Sequence, residues 1–194
     1  MPITSEAVPG VRCHEDRSGA LWLALPQRGL FRLKDGRVTD YNERIRLRLP
    51  ATISVILEDR DGALWLGTPD SGLIHFRPQA KDKELSKEQD TVTVYSTSNG
   101  LPSRGILELF QDREGIVWVG TNTAGLVRIT PQFIAGYSEA QGLDGNVTDA
   151  IVEDHAGNVW IVTQAGLGKI TNGVVTNYVP GKELGVPPPL QTLH

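Results

Sequence analysis

The chain has 194 residues, 39% of them hydrophobic and 22% charged, enough apolar material for one ordinary domain and too much for a disordered chain. Its 19 basic and 23 acidic side chains leave a net charge of −4, so nothing favours a phosphate backbone or an anionic lipid surface, and contact with nucleic acid or membrane is not expected. A single cysteine, Cys13, makes neither an internal disulfide nor a thiolate zinc site, while 21 glycines and 12 prolines point to short elements joined by many turns.

The opening residues 1–20 have neither the basic head nor the apolar run of a secretory signal or a membrane span. Within them, Ile3 to Pro9 reads as the end of a fourth strand and the connection into a new unit. From Cys13 the string CHEDRSGALWLAL starts a pattern that returns as ILEDRDGALWLGT from Ile56, LFQDREGIVWVGT from Leu109 and IVEDHAGNVWIVT from Ile151. Trp22, Trp65, Trp118 and Trp160 therefore recur at spacings of 43, 53 and 42, the signature of a repeat architecture. An aspartate stands six residues before each tryptophan (Asp16, Asp59, Asp112, Asp154) and a glycine three before it (Gly19, Gly62, Gly115, Gly157). Gly-Leu follows at Gly29-Leu30, Gly72-Leu73, Gly125-Leu126 and Gly166-Leu167, and each unit has a later tyrosine, Tyr41, Tyr95, Tyr137 and Tyr178.

Each part of the pattern has a mechanical meaning. An apolar run ends at Asp-x-x-Gly, where Asp bonds its own backbone and Gly takes positive φ, and a second apolar run follows, which predicts a hairpin. In the second unit, Leu64 to Thr68 then meets a polar turn and Gly72-Leu73, predicting a third strand from Leu73 to Arg77 and a fourth ending near the tyrosine. Four short antiparallel strands in each period predict an all-β fold, a β-propeller whose blades are four-stranded sheets with the tryptophans filling the space between blades. No amphipathic helical period interrupts the series. The units run over about 10–50, 51–102, 103–145 and 146–186, with a highly polar insertion at 78–90 that reads as a solvated rim loop, its rival being a partner-docking excursion. Gly185 to Pro187 and Leu190 to Leu193 repeat the connection and the start of a further first strand. About four units with an incomplete repeat at each end predict either an arc of a larger ring or a ring closed by oligomerisation, a complete four-bladed ring requiring small residues near the axis.

The Glu-Asp pairs at Glu15-Asp16, Glu58-Asp59 and Glu153-Asp154 invite comparison with a glycosidase, where two carboxylates flank the scissile bond. A catalytic pair is needed once, however, and neighbours on a strand point to opposite faces, so their recurrence assigns them to the frame. Function is sought where the repeats differ, at the end shared by the second-to-third-strand turns and the blade connections. That end is expected to carry Gln27, Arg28, Asp70, Ser71, Asn122, Thr123 and Gln164 from the turns, with Ser103, Arg104, Asp144 and Asn146 from the connections. Arg28, Asp70, Ser71, Arg104, Asn122, Asn146 and Gln164 are the candidate ligand-binding residues, against the plain reading of solvated loops. His14 occupies the place of Leu57, Phe110 and Val152 and is expected to face a blade interface or the axis; His75 lies mid-strand, His155 in a hairpin turn and His194 at the end. These spacings fit no metal site, and there is no nucleophile elbow, phosphate loop or kinase segment, so no cofactor is expected.

The string E-D-x-x-G-x-L-W-L-G-T, its following Gly-Leu, and Gly100-Leu101-Pro102 after a tyrosine resemble the two-component regulator propeller repeat over nearly the whole chain. The first unit departs at Trp22-Leu23-Ala24-Leu25 and the last at Ile161-Val162-Thr163, which is expected to weaken the glycine turn-in at those blades. The resemblance implies a many-bladed propeller in the extracytoplasmic sensor portion of a bacterial transmembrane regulator, hybrid histidine kinases included. It implies a non-enzymatic domain whose partner is a small molecule or an oligosaccharide. The alternatives are a propeller enzyme of lyase or hydrolase type with His14 or His155 as base, though no local motif resembles the streptogramin lyase site, and a scaffold that self-associates or binds proteins.

Overall fold

The computed structural model describes residues 10–45, 52–78, 90–130 and 134–178. Each repeat forms one four-stranded antiparallel sheet with its strands in sequence order. Blade 1 contains β1 (Arg12–Glu15), β2 (Leu21–Leu25), β3 (Gly29–Lys34) and β4 (Arg37–Asp40). Blade 2 contains β5 (Val55–Glu58), β6 (Leu64–Gly67), β7 (Leu73–Arg77) and β8 (Thr91–Tyr95). Blade 3 is β9 (Ile106–Gln111), β10 (Val117–Thr121), β11 (Leu126–Ile129) and β12 (Ile134–Tyr137), and blade 4 is β13 (Thr148–Glu153), β14 (Val159–Thr163), β15 (Gly166–Thr171) and β16 (Val174–Tyr178). The polar insertion at 78–90 and both terminal readings lie almost wholly outside the described residues.

The Asp-x-x-Gly turns behave as their chemistry requires. In each, the glycine amide donates to the aspartate carbonyl, from Gly19 to Asp16 at 2.8 Å through Gly157 to Asp154 at 3.1 Å, and the four glycines take φ between 76° and 85°. The first strands β1, β5, β9 and β13 abut in succession, so the sheets stand side by side around a common axis.

The apolar cores lie between blades. Trp22, Ala24, Leu30 and Tyr41 pack against Ile53, Leu64, Leu66 and Phe76 of blade 2, while Trp65 and Leu73 pack against Ile106, Leu109, Val117 and Val119 of blade 3. Trp118 and Leu126 close on Val159, Ile161 and Ile170 of blade 4. Gly67 and Gly120, each two residues after a tryptophan, do not shape a turn, which corrects the reading of a glycine turn-in. A Cβ on Gly67 would lie 2.7 Å from Ile106 Cγ2, and one on Gly120 would lie 2.5 Å from Thr148 Cγ2. Their hydrogen side chains let the next blade's first strand come close.

Candidate functional site

The repeated aspartate does more than turn the chain. Its Oδ1 accepts the amide four residues on, at 3.0 Å from Ala20, 2.9 Å from Ala63, 2.8 Å from Ile116 and 2.9 Å from Asn158. Its Oδ2 accepts the indole Nε1–H of the tryptophan in all four blades, at 2.9, 2.9, 2.7 and 2.9 Å. Opposite each tryptophan on the third strand stands a basic residue. The cations of Arg32, Arg128 and Lys169 lie 5.4, 6.0 and 5.1 Å from the ring centroids of Trp22, Trp118 and Trp160, and the His75 ring stacks on Trp65 at 4.1 Å. The signal for this partner was present in the sequence, two residues after the leucine of each Gly-Leu, and sequence reasoning missed it.

These bonds set the titration of the frame. Burial pushes the Asp16 carboxyl up, but hydrogen bonds from Ser18, the Ala20 amide, Trp22 and Arg32 outweigh it and hold the group well below the usual carboxylate range. For Asp154 the bond from Trp160, then those from Asn158, do the same. Burial pulls the His75 imidazole down, and the nearby Asp59 carboxylate only partly offsets this. His75 Nε2 lies 3.4 Å from Asp59 Oδ2 but off line for a hydrogen bond.

The residues flanking the aspartate tie one blade to the next. The amide of Arg17 donates to Glu58 Oε2 at 3.1 Å, and its guanidinium donates to the carbonyls of Asp59 and Arg60. Arg60 repeats this on blade 3, its amide donating to Gln111 Oε1 at 2.9 Å and its guanidinium to the Arg113 carbonyl. Arg113 repeats it on blade 4, with Glu153 Oε2 at 3.1 Å and the His155 carbonyl at 3.0 Å. The Glu-Asp pairs at Glu58-Asp59 and Glu153-Asp154 thus split their work, Asp to its own hairpin and Glu to the hairpin of the blade before. His14 Nε2 lies 3.5 Å from Glu58 Oε2, at the junction of blades 1 and 2.

At the opposite end, second-to-third-strand turns and blade connections meet. The Gly72 amide donates to the Arg104 carbonyl, Ile106 to Thr68, Asn122 to Gly105 and Gly125 to Asn146. Ser103 is 4% exposed and belongs to the frame instead of the loop surface, because its hydroxyl donates to Asn122 Oδ1 at 2.8 Å and accepts from Thr123. Asn146 accepts the Glu139 amide, Ser71 donates to Asp70, and Arg104 Nε donates to Thr97. Gln27, Arg28, Asp70, Ser71, Arg104, Asn122, Thr123, Asp144 and Gln164 are exposed there, and Asn146 is half-buried.

Two features had no sequence forecast. A groove of about 810 Å³ lies at the hairpin end between blades 1 and 2, lined by Arg17, Ser18, Arg32, Lys34, Glu58 and Arg60 among others. Much of its charge is engaged in the contacts above, and Arg32 pairs with Asp16 at 3.1 Å. On the innermost strand of blade 3, burial pushes the Glu108 carboxyl up, while the Leu109 amide and Arg12 pull it back. Among the described residues no three metal-ligating side chains converge, and no helix is long and apolar enough to cross a membrane.

Residues 49–70, 100–123 and 141–165 match the two-component regulator propeller, so the chain carries repeats of that family. No curated protein matches the sequence. The fold is similar to that of the extracellular domain of the hybrid two component system BT3049 from B. thetaiotaomicron, at 22% identity and a TM-score of 0.69 over 87% of this chain and 23% of that one. The corresponding domain of BT4673 from the same organism matches at 22% identity and 0.66, over 87% and 24%. A virginiamycin B lyase from Staphylococcus aureus matches at 17% identity and 0.62, over 86% and 54%. The chain spans about a quarter of the length of those extracellular domains.

Proposed function

We propose that this array of two-component regulator propeller repeats is a ligand-binding, non-enzymatic sensor element of a bacterial two-component signalling protein, acting outside the cytoplasm. The observation that carries the reading is a division of labour between recurring and non-recurring polar residues. The recurring aspartates and the Glu, Gln and Arg beside them are consumed by hairpins and blade junctions. The non-recurring ones, Arg28, Asp70, Ser71, Arg104, Asn122, Asn146 and Gln164, gather at one end. A mixed set of guanidinium, carboxylate, hydroxyl and amide groups suits a hydroxyl-rich small molecule such as an oligosaccharide, held by hydrogen bonds and without a tryptophan platform. Because neighbouring turns belong to different blades, a ligand that bridges them favours one blade arrangement, and that differential affinity is the signal.

Calorimetric titration with a panel of neutral and acidic oligosaccharides tests this. Asp70→Ala and Arg104→Ala should each weaken binding by about tenfold with the unfolding midpoint unchanged, from the loss of a charged hydrogen bond. Binding indifferent to both changes would overturn the site, and silence across the panel would overturn the sugar class. Turnover of a panel member, abolished by His155→Ala or His14→Ala, would replace the sensor reading with an enzymatic one.

A further inference from the structure

Beneath the exposed turn of blade 3 lies Ser103, 4% exposed, with every hydrogen-bonding site of its hydroxyl taken. The hydroxyl accepts from Thr123 Oγ1 at 2.9 Å and from the Gly105 amide at 3.3 Å, and it donates its one proton to Asn122 Oδ1 at 2.8 Å. Asn122 itself is exposed, yet its side-chain amide is pinned on two sides. Ser103 holds the oxygen, and the amide lies across Gly105, where a Cβ would come within 2.2 Å of Nδ2 and 2.3 Å of Cγ. Nδ2 is left without a hydrogen bond among the described residues. The exposed Thr123 has spent its proton on Ser103, so its oxygen is left only to accept.

An exposed asparagine keeps its rotamer freedom unless something orders it, and here a buried hydroxyl and a missing side chain do so. The blade frame does not require them. The connection into blade 4 has Gly145, Val147 and Ala165 in the places of Ser103, Gly105 and Thr123. Blades 3 and 4 close on each other all the same, and the Gln164 backbone amide donates to the Val147 carbonyl as that of Asn122 does to Gly105. The ordered side-chain amide therefore belongs to what differs between the repeats and not to what they share.

We infer that Ser103 is a positioning residue of the loop-end site, a buried hydroxyl that acts through Asn122 and Thr123 by fixing the first as a donor and the second as an acceptor toward a ligand. The inference rests on the ligand reading above and narrows it. A fixed N–H beside a fixed acceptor oxygen fits a vicinal diol, one hydroxyl oxygen accepting from Asn122 Nδ2 while its neighbour donates to Thr123 Oγ1. Order set before the ligand arrives lowers the entropy lost on binding. Polar groups held in place also discriminate against a ligand that lacks the matching hydroxyl, because they are then left unpaired.

Two readouts on the full chain test this, one of them free of ligand. Nuclear magnetic resonance relaxation of the Asn122 side-chain NH2 group should show an ordered amide in the native chain and a mobile one in Ser103→Ala and in Gly105→Ala. Gly105 does not take a positive φ, so Gly105→Ala displaces the amide while keeping the Ser103 hydroxyl, and circular dichroism should be unchanged. Calorimetric titration with maltotriose, cellotriose and xylotriose supplies the second readout. For a trisaccharide that binds, Asn122→Ala should weaken binding about tenfold and Ser103→Ala several-fold, while the double variant loses far less than the two combined, since one residue acts through the other. A native amide as mobile as that of Ser103→Ala, or losses that add in the double variant, would overturn the positioning role whatever the ligand. An ordered amide with none of the three sugars bound would overturn the ligand reading, and the role with it.

Discussion

Asp112 is 3% exposed and carries both the Ile116 amide and the Trp118 indole N–H on one carboxylate. Asp112→Ala leaves a buried indole N–H and a half-buried amide without an acceptor and should cost about 2–4 kcal/mol, seen as a lower urea midpoint at unchanged slope. Protonation should act in the same direction. Asp16 and Asp154 are held below the usual carboxylate range, so their contribution is whole above the unfolded value of about 4 and is lost as pH falls below it. His75 titrates earlier. Its folded pKa is depressed by burial, so the native state favours the neutral ring, and stability should fall as pH drops from about 6.5 through the folded value. His75→Arg places at this register position the residue found at Arg32 and Arg128, and urea midpoints at pH 8 and pH 5.5 should then converge. The turn role of aspartate was legible in the sequence because it spans only Asp-x-x-Gly. The indole bond was not, because only the closed hairpin folds residues six apart onto each other.

Among the elements, junctions decide more than single blades. Gly120 stands where a Cβ meets Thr148, so Gly120→Val should force blades 3 and 4 apart at a cost of about 1–3 kcal/mol in urea unfolding. Arg60→Ala removes the guanidinium donor to the Arg113 carbonyl while leaving its own amide bond to Gln111 intact, so the expected loss is about 1 kcal/mol. A thermal unfolding series comparing it with Gly120→Val separates the polar latch from the apolar contact. Sequence reasoning placed the strands well, Leu73–Arg77 among them, because alternation and turn chemistry are local. It did not find why glycine stands at 67 and 120, because the atoms that demand it there, Ile106 and Thr148, arrive from another blade.

Over the whole molecule, stability is a sum of blade and nearest-neighbour contributions. Strands β6 and β10 are buried along their whole length whereas β2 carries the exposed Leu21, so hydrogen exchange should be slowest at β6 and β10 and faster at β2. The arrangement of four all-β units, their hairpins and the tryptophan seams follow from the sequence alone, because each rests on a period of two or on a turn a few residues long. The loop end that gathers Arg28, Asp70, Ser71, Arg104, Asn122, Asn146 and Gln164 was also foreseen, since antiparallel order fixes which turns share an end. Tertiary structure alone decided that Ser103 is buried, that the Glu of each Glu-Asp pair in blades 2 and 4 serves the preceding hairpin, and that a charged groove opens at the other end. Those contacts join residues some 20 to 50 positions apart, and their partners are set by how one sheet stacks on the next.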